Sequence, residues 1–118
     1  MHTINLSEKL ALFDDLWSPK AIGAVNGMHV KLVKLAGEFV WHAHEAEDEL
    51  FFVLRGRLRM QFRDREEVVR PGECIIVPRQ VEHRPVADED THVLLLEPAS
   101  TVNTGTAGGD RTRAVEWI

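Results

Sequence analysis

The chain has no tyrosine, one cysteine and no apolar run approaching the roughly 20 residues that a membrane helix requires. A single cysteine forms no intrachain disulfide and no zinc-finger cysteine set, so the fold has to be held by a hydrophobic core. An excess of positive charge is also missing. The net charge is −5, which favours solubility and argues against general nucleic-acid binding. The opening Met1-His2-Thr3-Ile4-Asn5 lacks the basic and apolar regions of a signal peptide. A reducing, cytoplasmic setting without membrane association is therefore expected. No Ser-His-Asp order and no phosphate-cradling glycine loop occurs. Cys74 lies in an apolar stretch and reads as a buried, inert thiol.

What is present fits one compact unit. The 118 residues, 44% of them hydrophobic, are enough for one core and short for two. A single domain over 1–118 is expected, in three parts. Residues 5–16 read as a short amphipathic helix packed on the body. Asn5 with Glu8 fits a capping box, and Leu6, Leu10, Phe13 and Leu16 fall at helical spacing before Ser18-Pro19. Residues 28–98 read as strands. Leu58-Arg59-Met60-Gln61-Phe62 alternates cleanly, Asp64 and Arg65 mark a hairpin turn, and Pro71-Gly72 marks another before a strand over Cys74 to Val77. The apolar parity slips between Leu32 and Val33, which predicts a bulge. His92 to Leu96 reads as the last strand of this block. Short strands at this spacing indicate an antiparallel sandwich or barrel. Residues 103–110, rich in Gly and Thr, read as a flexible loop, followed by a tail to residue 118 that Trp117 anchors.

One segment carries chemistry. His42-Ala43-His44 places two imidazoles on the same face of an extended strand. Imidazole is the commonest protein metal ligand, and a carboxylate completes mixed sites. Glu49 follows an acidic turn and opens the run Leu50-Phe51-Phe52-Val53-Leu54. His83 follows a second punctuated block. His2, His29 and His92 have no such partners and read as surface or sheet residues.

At these positions the chain resembles the cupin superfamily. Gly37, His42, His44, Glu49 and Gly56 match that family's first motif, with four residues after Gly37 where the pattern usually has five. Gly72, Pro78 and His83 match its second motif, with Gln80 in place of a frequent glycine and Ala87 in place of a frequent asparagine. The resemblance spans Gly37 to Ala87. It implies an all-β fold, the cupin double-stranded β-helix (a jelly-roll-like antiparallel barrel), here with a short N-terminal helix. It is similar to the small cupins described as mannose-6-phosphate isomerase-like, a label that names a fold relative. It also implies a metal held by His42, His44, Glu49 and His83. Three imidazoles and one carboxylate suit a divalent transition metal: manganese, iron, cobalt, nickel, copper or zinc.

If Glu49 faces the barrel interior, Phe51 and Val53 share its face. With Met60 and Phe62 they are the expected pocket lining, suited to a small, partly apolar ligand. Phe39 and Trp41 read as ordinary packing and Arg84 as surface. Leu50, Phe52 and Leu54 then face outward and need cover. The helix or a second subunit would supply it, and the resemblance favours a homodimer. Three functions fit: a metal-dependent enzyme of the oxygenase type, a metal-dependent sugar or keto-acid isomerase or epimerase, or a non-catalytic small-molecule-binding protein. No acid or base beyond the ligand set is evident, which weighs against the isomerase.

Overall fold

A computed structural model describes residues 1–118, and it is built almost wholly of strands. The helix α1 covers Leu6–Leu10; the strands are β1 (Lys20–Val25), β2 (Met28–Glu38), β3 (Glu49–Arg55), β4 (Leu58–Phe62), β5 (Glu66–Val69), β6 (Cys74–Val77), β7 (His83–Pro98) and β8 (Glu116–Trp117). β7 is long enough to pair twice on one edge. His83–Ala87 pairs with β4, and the stretch from His92 to Leu96 pairs with β3. β2 runs antiparallel along its other edge. β5 extends β4, β6 extends β3, and β1 with the parallel β8 extends β2. This is the all-β barrel, with one short helix, that the motifs imply.

Alternation along the strands builds the interior. Leu58 and Met60 point inward from β4, Phe51 and Val53 from β3, and Val93 and Leu95 from β7, joining Val33 and Leu35 in one apolar cluster. The expected turns form where turn chemistry predicts them. Phe62 N–H donates to the Arg65 carbonyl across the β4–β5 hairpin, and Gly72 N–H donates to the Val53 carbonyl. Asn26 and Gly27, both at positive φ (46° and 77°), join β1 to β2 in a two-residue hairpin.

Several expectations are corrected. The helix stops at Leu10, well short of residue 16, although Asn5 caps it by accepting the Glu8 N–H as expected. The chain beyond leaves helical geometry so that Phe13 can cover the outer face of β1 and β2, beneath the ammonium groups of Lys20 and Lys34. That cover also explains the parity slip. Leu32 and Val33 are both buried because both faces are covered there, and the β2–β7 ladder is continuous through them. The irregularity lies between Leu35 and Gly37, where the exposed Asp88-Glu89-Asp90 bulges from β7. The last strand of the block begins at His83 rather than His92. Cys74 is exposed, because β6 pairs only with β3 and its outer face has no cover.

The C-terminal region differs too. Within residues 103–110, Thr104 is fully buried and Gly105–Ala107 forms a 3-10 turn, while residues 106–110 are exposed. The tail is held by a backbone bond, Ile118 N–H to the Ala21 carbonyl, and by the side-chain ion pair between Lys20 and Glu116. Trp117 meets the His29 ring edge-on yet stays 59% exposed, so it is a weaker anchor than its size predicts. No helix is long and apolar enough to cross a membrane.

Candidate metal centre

His42 and His83 are set by the backbone before their side chains are considered. Each donates its N–H to the other's carbonyl, at 3.0 and 2.9 Å, in an isolated antiparallel bridge. This brings their rings to 4.3 Å between centroids. His44, two residues on, projects to the same side, and Glu49 enters from the first position of β3. Ligand atoms of the four residues lie within 4.8 Å of one another, and all four side chains are buried. The four residues that the motifs single out are therefore brought together.

Hydrogen bonds orient the rings. His42 Nδ1 lies 2.8 Å from the Val40 carbonyl and His83 Nδ1 lies 2.9 Å from the Val81 carbonyl. A carbonyl only accepts, so each Nδ1 carries the proton and each Nε2 keeps a free lone pair. His44 Nε2, His83 Nε2 and Glu49 Oε1 are buried without a hydrogen-bond partner. Glu49 Oε1 lies 3.3 Å from His44 Nε2 and 3.6 Å from His83 Nε2. Converging, unpartnered lone pairs in a dry site are costly. A cation at their centre would satisfy all of them, so these residues fit a metal.

Burial, aided by the nearby His83 and His44 rings, lowers the His42 pKa to about 4 and keeps it neutral, as a ligand must be. Burial works against the Glu49 carboxylate. The close His44 and His83 rings outweigh it and hold Glu49 below the usual carboxylate range. Glu97 moves the other way: burial and the facing Glu49 raise it well above that range.

A narrow cavity of about 40 Å³ adjoins the cluster, lined by His42, Glu49 and Glu97 among mainly apolar walls that include Phe39, Phe51, Leu95 and Trp17. Of the expected lining residues, Phe51 lines it. Val53 and Met60 sit in the apolar core, and Phe62 packs against that core. Phe39 lines the cavity and stacks on Trp17, centroids 4.8 Å apart. Trp41 lies against the Arg63 guanidinium, and Arg84 bonds Gln61.

Three features escape a reading of the chain by itself. Lys31 and Glu97 alternate with apolar residues and so read as wet, yet they are 2% and 1% exposed and joined at 2.8 Å inside the barrel. Trp17 closes the cavity from the N-terminal segment, at φ 58° with its indole N–H on the Ala36 carbonyl. The segment around Gly105 backs His44: Thr106 N–H donates to the Ala43 carbonyl and Ala43 N–H to Thr106 Oγ1. The last two have no local signal. The Lys31–Glu97 pair becomes visible only once the register of β2, β7 and β3 is known.

An all-β barrel with three histidines and a glutamate gathered at one inner wall defines a class of protein, and comparison with known proteins agrees. The family model described as Cupin domain matches residues 28–97, and the chain belongs to that family. A cupin-2 domain containing protein from Shewanella frigidimarina is 43% identical, with a TM-score of 0.79 over 80% of this chain and 93% of that one. A Neisseria meningitidis protein is 34% identical, with a TM-score of 0.76 over 83% of this chain and all of that one. The Bacillus subtilis protein YdbB is 38% identical over 65 residues, 54% of this chain and 58% of its own length.

Proposed function

We propose that this chain binds a divalent transition metal through His42, His44, Glu49 and His83 and is a metal-dependent enzyme of the oxygenase type acting on a small, partly apolar molecule. The observation that carries the reading is the convergence of buried ligand atoms without partners within 4.8 Å. When bound, a metal would supply Lewis acidity or, as ferrous iron, dioxygen chemistry at positions the four ligands leave open. The protein's own part is orientation and exclusion of water. The Val40 and Val81 carbonyls hold the His42 and His83 rings with Nε2 inward. Phe39, Phe51, Leu95 and the Trp17 ring wall the cavity, and these apolar walls favour a partly apolar ligand over a polyhydroxylated one.

Isomerisation or epimerisation of a sugar or keto acid is the second reading, and one observation favours it. Glu97 puts a second buried carboxyl in the cavity wall, an acid/base group that carbonyl chemistry needs. Metal analysis of untagged protein, followed by iron reconstitution and oxygen-uptake assays over a small-molecule panel, separates the readings. Near-stoichiometric metal that disappears in His83→Ala supports the site, and substrate-dependent oxygen uptake supports the oxygenase. Metal without uptake, together with carbonyl isomerisation, selects the second reading. Absence of metal under every condition leaves a ligand-binding barrel without a metal centre.

The outer sheet face supports a homodimer. Val30, Leu96, Leu50 and Ile76 form one cross-strand row, with Leu94 and Phe52 in the next. Ile76 is 59% exposed. Ile76→Glu should lower the mass measured by light scattering from dimer to monomer; a monomeric wild type would refute the assignment. The exposed, unpaired Cys74 fits a reducing compartment such as the cytoplasm.

A further inference from the structure

We infer that Glu97, fixed by Lys31, is a positioning residue of the metal centre that holds the Glu49 carboxylate against the histidine cluster. This inference rests on the metal-binding reading above. Its starting point is the strand register. β3 pairs with β7 so that Leu50 faces Leu96 and Phe51 faces Leu95. One step further along the same register, Glu49 faces Glu97. Both point to the interior, 5% and 1% exposed, and line the same cavity. Lys31 comes from β2, diagonal to Glu97, and its Nζ lies 2.8 Å from Glu97 Oε1.

Two acids directly opposite each other on neighbouring strands are unfavourable even at a surface. In an apolar interior the cost rises, and each charge needs a partner. Lys31 partners Glu97. Glu49 Oε1 faces two imidazole nitrogens, and His83 Nε2 is a bare lone pair because Nδ1 holds the proton against Val81. Glu49 thus lacks a protein cation, and its open side looks at the ligand cluster. Its other neighbour is Glu97, which cannot retreat because Lys31 pins it. Glu97 is therefore the stop that keeps Glu49 turned toward the histidines. Stability alone does not account for the pair, since apolar side chains of similar volume usually serve a core as well or better.

Cobalt(II) added to the metal-stripped full chain tests this, read by visible absorption and by chelator competition, with melting recorded separately. Glu97→Asp keeps the carboxyl and shortens the reach. It should lose about 10- to 100-fold in cobalt affinity, as outer-sphere partners of ligands do, and should change the absorption bands. Glu97→Gln keeps the reach and replaces the carboxyl with an amide, and should stay within about threefold of wild type, as a merely structural loss would not select between these variants. The double variant Lys31→Met, Glu97→Leu replaces the pair with apolar volume. It should melt no lower than wild type while losing affinity like Glu97→Asp. Wild-type affinity and spectrum in Glu97→Asp, or in the folded double variant, would overturn the inference and leave the four-residue centre standing. Failure of the wild type to bind cobalt would overturn the centre itself and this inference with it.

Discussion

Gly105 is the tightest point where the C-terminal segment closes over the His42, His44, Glu49 and His83 cluster, and Gly105→Ala measures how firmly that closure is held. A Cβ there would collide with the Ala43 carbonyl oxygen and come within 3.0 Å of His44 Nδ1. The backbone sits at φ 49°, a left-handed conformation that costs an alanine about 1 kcal/mol. The neighbour that blocks the new methyl is backbone, so the segment has to withdraw. It then gives up the bond from Thr106 N–H to the Ala43 carbonyl, 2.8 Å, and the bond from Ala43 N–H to Thr106 Oγ1, 3.1 Å. At about 1 kcal/mol each, these bring the loss to roughly 3 kcal/mol. For a chain of this size that is a fall in Tm on the order of 10 °C. Gly72→Ala is the control. Its φ is 86° and nothing lies within 4 Å of the added methyl, so it bears only the backbone cost. Chemical denaturation gives the two stabilities, and chelator competition gives metal affinity, which should fall roughly tenfold for Gly105→Ala as the support behind His44 loosens. Equal destabilisation in the two variants, with unchanged affinity, would refute the claim that this segment braces His44.

Three further outcomes are expected. His44→Ala should lose most of its metal while retaining cooperative unfolding, and elemental analysis showing unchanged occupancy would remove His44 from the ligand set. In metal-free protein His42 should contribute a loss of stability as pH falls from about 6.5 toward 4. Its folded pKa is lowered to about 4 by burial, so across that window the unfolded chain takes up a proton that the folded chain refuses; the His42 share is about 3 kcal/mol, opposed in sign by the raised Glu97 carboxyl, and a His42 ring that takes up its proton near pH 6.5 by NMR would contradict a neutral buried His42. Removing residues 111–118 strips the Arg111 guanidinium from the Phe39 and Trp17 rings and β8 from β1, and should lower Tm by several degrees. An unchanged Tm would show that the tail anchors nothing.

How much of this was legible from the chain depends on whether the signal is local. His42-x-His44 declares itself because a strand puts alternate residues on one face, and β4 declares itself by clean alternation. Asn26-Gly27 carried an equally local hairpin signal, and it explains β1, which the spacing of apolar residues alone does not reveal. The helix was overestimated because Phe13 and Leu16 fall at helical spacing, yet tertiary demand decides their use: Phe13 is drawn onto the outer face of β1 and β2, and Leu16 is left exposed. Cys74 shows the reverse error. An apolar strand reads as buried, but β6 lies at a sheet edge whose outer face has no cover within the chain. Lys31 and Glu97 are the costliest omission, since period-two alternation assigns charged residues to water by default. Only their cross-strand partners reveal that the alternation at this end of the barrel points charge inward.

The glycines of the first motif have a role that neither chemistry nor local turns explains. His83 and Glu97 stand at opposite ends of one strand, and fully extended that span would be about 45 Å. Yet His83 Nε2 is 3.6 Å from Glu49 Oε1, and Glu97 lines the same cavity as Glu49. β7 and its partner β2 therefore have to turn sharply, and they do so where their register shifts between Leu35 and Gly37, opposite the Asp88-Glu89-Asp90 bulge. Gly37 takes φ 80° on one side of this corner. Gly56, φ 85°, packs its bare Cα against Thr91 and the Asp90 carbonyl on the other, where any side chain would collide. Asp88 is clamped there by Arg59 at 2.7 Å. The clustered residues thus depend on a corner remote from them: histidines and a glutamate at the right spacing meet only when the strand that carries His83 can bend back far enough to bring both of its ends to Glu49.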